Sequence, residues 1–265
     1  MKQDRMDSDR PIPPSEAAPL MYGPDELTAG YYGLESQERN VGIAAILKHA
    51  RPVGLWYRLL TLYVEGMREP WEPGVEVLSH DENAQGVLTS QLLGLGVSSS
   101  KSALDLLLAG YYSIAFAAIR HMVESVFRIR EVKLNPERAK YFYDIEPPKS
   151  FEVVAEIVKS LKASDPEHES RYENMRLSWK FLSKGAHPSG EGILQTQTSD
   201  RARFVFEPTY DWRFMIEGLQ HGLSATTMLV LTLGERSGLE AGWHDRLNNL
   251  NALVKEWADS EPGLN

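Results

Sequence analysis

The chain has 265 residues, no cysteine, and 28 basic against 37 acidic residues, for a formal charge of −9. That length supports a sizeable core without staples, and the missing thiols exclude cysteine nucleophiles, Cys-ligated zinc, iron–sulfur clusters and disulfide frameworks. The acidic balance disfavours RNA as a partner without forbidding it, because gripping phosphates calls for a basic surface.

Residues 1–24 hold five prolines and little apolar content, which predicts a disordered arm without the apolar core of a signal peptide. The longest apolar run, "MLVLTL" at 228–233, is far too short to cross a bilayer. A cytoplasmic protein with no membrane partner is therefore expected. Residues 25–82 read as a helical lead-in and linker. The stretch 41–67 is amphipathic, with Ile43, Ile46, Leu47, Trp56, Leu59, Leu60 and Tyr63 near helical spacing, and Pro52 should break or kink it. "REPWEPGVEV" is the linker.

The main helical-bundle domain is expected over residues 83–265. "AQGVLTSQLLGLG" predicts a helix, and the serines of "SSSKSALD" read as caps of the next one, with Asp105 three residues after Ser102. From there to Lys133 the pattern is helical, with an interruption expected at Gly110. Tyr112, Phe116, Ile119, Val123, Val126 and Phe127 share one face, opposite Arg120, His121, Glu124 and Arg128. A short helix around "NPERAKYFYD" and another over 150–162 follow. The next, from about Pro166, carries Tyr172, Met175, Trp179, Leu182 and Ala186 as a core stripe and stops at His187-Pro188. Residues 193–208 alternate as a small β-hairpin would, and helices over 211–233 and 239–258 close the chain. The fold class is mostly α: a helical bundle with room for one small β-hairpin.

Several chemical motifs can be tested directly. A phosphate loop ending at Lys101 would need glycines where Leu95 and Ser100 stand. Ser98-x-x-Lys101 has the spacing of serine–lysine acyl enzymes but none of their further motifs. His121-x-x-Glu124 and Glu217-x-x-x-His221 pair ligand types on a helical face, yet match no di-iron pattern and read as surface polar residues. No metal or cofactor is expected. Arg120, Glu124 and Arg128 stack in one row, as a surface ion-pair ladder of ~0.3–0.5 kcal/mol per pair would. Arg120 and Glu124 lie at the edge of the apolar face, where a bundle can aim polar groups into a cleft. His187 reads as a helix-end histidine, favourable there when protonated. With Ser183 and Lys184 on its face it also has the equipment for proton transfer.

A helix carrying "AGYYSIAFAAIRHMVESVFRI" followed by one ending "WKFLSKGAHPS" resembles uncharacterised bacterial members of the HEPN-like superfamily. The likeness rests on the Gly-Tyr-Tyr turn, on Arg120-x-x-x-Glu124, and on Leu182, Ser183 and His187. It implies a helical bundle, expected as a homodimer, with polar residues of two helices facing a shared cleft. Active members of the family resemble metal-independent ribonucleases with an Arg-x(4–6)-His motif. Here His187 takes the histidine's place, while Lys180, Phe181, Leu182 and Ser183 stand where the arginine would be. Lysine does not reproduce the planar fork of arginine.

The expected function is therefore that of a non-catalytic or degenerate HEPN-like protein binding a partner or small ligand in an interhelical cleft, with Arg120 and Ser183 as ligand contacts. The alternative is a metal-independent ribonuclease of toxin or defence type. In it His187 is the general acid/base, Lys184 or Arg120 stabilises phosphate charge, and Glu124 orients them. The core stripe makes its own prediction. Trp179→Ala should cost ~3–5 kcal/mol, as loss of a buried aromatic does; a melting temperature close to that of the parent would refute the assignment.

Overall fold

The computed structural model describes residues 24–69, 84–143, 150–186, 210–235 and 239–260. Within them the chain forms eight α-helices and no strand. They are α1 (Pro24–Lys48), α2 (Ala50–Arg68), α3 (Ala84–Leu108), α4 (Tyr112–Leu134), α5 (Ser150–Ser164), α6 (Glu169–Ala186), α7 (Trp212–Gly234) and α8 (Ala241–Ser260). Short 3₁₀ segments at Pro136–Tyr143 and Pro166–His168 lead into α5 and α6. The helical bundle is as the periodicity predicts. The hairpin expected at 193–208 and the helix stop at His187 lie outside the described residues, as do nearly all of the arm and linker.

Local chemistry sets the helix boundaries. Pro52 falls in the first turn of α2, where backbone amides have no intrahelical acceptor, so the break comes just ahead of it at His49. Gly110 sits at φ 83°, the left-handed region that side chains resist. Its amide bonds to Leu107 O at 3.0 Å and that of Tyr111 to Leu106 O at 2.8 Å, a Schellman closure of α3. Asp211 caps α7, its Oδ1 accepting from the amides of Arg213 and Phe214 at 3.0 and 3.2 Å.

Two sequence expectations need correction. The serines read as caps lie inside α3, which runs unbroken through them. Ser98 donates back to Gly94 O at 3.3 Å, so its hydroxyl is satisfied without ending the helix. Ser100 is fully buried. On α1, Ile43, Ile46 and Leu47 are exposed rather than inward-facing. The break at His49 separates their stripe from that of α2, whose Trp56, Leu59 and Tyr63 are fully buried.

Helix α4 packs against α3, α5, α6 and α7, and α7 packs against α2, α3, α4 and α8. Both are consequently buried around most of their circumference, and one contiguous apolar core joins α2 through α8. Trp56 projects from α2 onto the α7 backbone at Gly222, where a Cβ would collide with the indole ring. Its Nε1 donates to Ser100 Oγ at 2.8 Å, and that hydroxyl shares a 2.7 Å hydrogen bond with Thr226 of α7. Further along α2, Trp243 of α8 donates to Leu62 O at 3.0 Å, and exposed ion pairs Arg51–Glu256 and Arg246–Glu65 join the two helices towards either end of α2. Adding one methyl at the closest approach should force α2 and α7 apart. Gly222→Ala is expected to lose ~1–3 kcal/mol in urea denaturation, and an unchanged midpoint would contradict this packing.

Candidate functional site

The polar row of α4 is drawn inward. Arg120 Nε lies 3.1 Å from Glu124 Oε1, with side chains only 13% and 7% exposed, so this is a buried pair and not the solvated ladder expected from the helical wheel. Trp179 Nε1 of α6 donates to the same Oε1 at 2.8 Å, and His121 Nδ1 stands 3.7 Å from Oε2. Burial pushes the Glu124 carboxyl up. Hydrogen bonds from His121 and Trp179 and the Arg120 charge more than offset this and hold it below the usual carboxylate range. The carboxylate therefore joins α4 to α6 as a charged hydrogen-bond acceptor whose neighbours are already in place.

The other sequence candidates lie on the last turn of α6. Ser183 Oγ is buried without a hydrogen-bond partner among the described residues, and Lys184 is exposed. His187 lies outside the described residues.

A larger feature opens on another face. Helices α6, α7 and α8 bound a groove of about 1210 Å³. Its α6 wall carries Met175, Ser178 and Phe181, its floor His221, Thr227 and Met228 of α7, and its far wall Val254, Lys255 and Trp257 of α8. Ser178 Oγ and His221 Nδ1 share a 2.7 Å hydrogen bond. The Phe181 ring stacks on the imidazole with centroids 5.0 Å apart. Burial pushes the His221 pKa down to about 4, so the imidazole is neutral near pH 7. Thr227 is 6% exposed, and its hydroxyl has no hydrogen-bond partner among the described residues.

This arrangement suits recognition better than proton transfer. A base for Ser178 must accept its proton readily and be steadied by a further group. An imidazole that burial keeps from charging above about pH 4 is a poor acceptor. The groove instead offers an apolar lining with a few fixed polar atoms, the usual make-up of a binding site. Among the described residues no cluster of three or more metal-ligating side chains occurs, and no helix is long and apolar enough to cross a membrane.

Comparison with protein-family models, curated proteins and solved structures finds no match.

Sequence reasoning reached His221 only as half of a Glu-x-x-x-His pair read as surface polarity. Ser178, Phe181 and Thr227 escaped it. Their pairing is across helices, and in the sequence each looks like an ordinary edge residue. Besides the Glu-x-x-x-His pair, the available signal was Thr226-Thr227, set directly before the apolar run 228–231 of α7.

His221 makes acid stability a test of the geometry. Unfolded, the imidazole takes up a proton below about pH 6.5, whereas folded it does so only near pH 4. Acid thus favours the unfolded chain across that window, by at most ~1.4 kcal/mol per pH unit. His221→Gln should flatten this part of the stability–pH curve. Parallel curves for variant and parent would mean that the imidazole is not buried as described.

Proposed function

We propose that this chain is a non-catalytic, HEPN-like helical-bundle protein whose activity is to bind a partner or ligand in the groove between α6, α7 and α8. The observation that carries this reading is the open groove itself, about 1210 Å³ and lined by Met175, Met228, Leu231, Val254 and Trp257, with the Ser178–His221 pair fixed in its wall. The commitment of Glu124 to Trp179 and Arg120 supports binding over ribonuclease chemistry, since the carboxylate is spent on a hydrogen bond that ties α6 to α4 and on an ion pair within α4. A homodimer belongs to the same proposal. Ile43, Ile46 and Leu47 leave an exposed apolar stretch on α1 of the kind that subunit contacts cover.

An anionic naphthalene dye, whose emission rises in apolar surroundings, tests the groove. One dye per chain is expected, with blue-shifted emission. Ser224→Trp, an exposed α7 position lining the groove, should abolish the signal without moving the melting temperature. No enhancement, or enhancement that survives this substitution, would overturn the reading.

A further inference from the structure

The groove's dimensions, lining and charge together narrow what fits it. Along α6 it extends from Ser170 to Phe181 and along α7 from Gln220 to Leu231, in each case about 16 Å at ~1.5 Å per residue. That is the length of a three-turn helix. Its volume of about 1210 Å³ exceeds the ~300–1,000 Å³ of small-ligand pockets, which enclose their ligands. Helices bound it on two walls and the floor, as they would the vacant position of one more helix in a bundle.

The lining then sets the chemistry of the occupant. Met175, Met228, Leu231, Val254 and Trp257 present an apolar surface, and the two thioethers can adapt to varied side chains. Arg171 on α6 and Lys255 on α8 stand on opposite walls. Neither is paired with a carboxylate among the described residues. None of the groove's lining residues is acidic, in a chain carrying 37 carboxylates and a charge of −9. Of the acids beside lining residues on the walls, Glu169 and Glu173 pair with Lys162 and Glu256 with Arg51, while Asp259, next to Ala258 at the end of α8, has no ion pair among the described residues. The groove is thus a locally basic, apolar trough on an acidic protein.

We propose that the groove docks an amphipathic α-helix of about three turns from a partner protein, with an apolar ridge at i, i+3/i+4 and i+7 and carboxylates on both flanks. The ridge lies on the α7 floor and the carboxylates meet Arg171 and Lys255, the helix-in-groove mode of recognition. The inference rests on the groove-binding reading above and adds the class of partner.

The test uses the full chain and two synthetic helical peptides of about four turns. They share the same leucine ridge, and one carries Glu and the other Lys on the flanks. Fluorescence anisotropy should show the Glu peptide binding about tenfold or more tightly than the Lys peptide, with slowed amide exchange along the groove face of α7. The double variant Arg171→Glu/Lys255→Glu should invert that order, and Ser224→Trp should remove binding of both. Equal binding of the two peptides, blocked by Ser224→Trp, overturns the acidic partner and leaves the groove reading standing. If neither peptide binds while the dye does, a helical occupant is wrong. If dye and peptides all fail, both readings fall. A dimer in analytical ultracentrifugation that the Glu peptide dissociates into monomers would make the occupant a second copy and overturn the partner assignment.

Discussion

The contact of Trp56 with the backbone of α7 is the constraint on which the rest of the bundle is built. The indole fills the space that a side chain at residue 222 would occupy, so α2 and α7 can approach only because that residue is glycine. Burying the ring also buries its N–H, which must then find an acceptor. Ser100 supplies it, and Thr226 in turn bonds the serine. One large residue thereby ties α2, α3 and α7 at a single point. The same linkage explains why α3 continues through a run of serines: Ser100 is needed inside the bundle rather than at its end.

The groove is a consequence of how α6 is seated. Trp179 and Glu124 hold α6 against α4, and α5 supports its other side through Lys162 and Glu173. Helix α7 is held by α2, α3, α4 and α8. With both helices anchored to neighbours, the space between α6 and α7 is bridged by Ser178, Phe181 and His221 at one end, while the rest stays open towards α8. The polar clasp of α4 and α6 is thus architectural, and its product is a surface that the same two helices do not close.

Much of the fold was legible in the sequence because it depends on local periodicity and on residues with strong conformational preferences. The stripe of Tyr172, Met175, Trp179 and Leu182 is buried as its spacing predicts. Gly110 and Asp211 end and begin helices for reasons written in their own chemistry. The serines of α3 and the outer face of α1 were misread because tertiary contacts, or their lack, decided the outcome there. Glu124 shows the limit most clearly. A helical wheel places it at an edge, but only the arrival of Trp179 from 55 residues away determines that the edge becomes interior. The groove was less legible still, since it is defined by the absence of contact between helices, and periodicity within one helix is silent about its neighbours' spacing.

The junction of α2 with α8 bears on when, as well as how, the chain becomes whole. Leu62 O receives its hydrogen bond from Trp243, 181 residues later, and Arg51 pairs with Glu256 across 205. Closing such distances costs loop entropy before any contact rewards it. During synthesis α2 leaves the ribosome long before α8 exists, so one side of α2 stays wet while the central helices assemble around the other. Helix α8 then acts as a latch on the finished bundle, and by setting down its inner face it also raises the far wall of the groove. In the nascent chain, the groove is therefore completed only after α8 has emerged and docked.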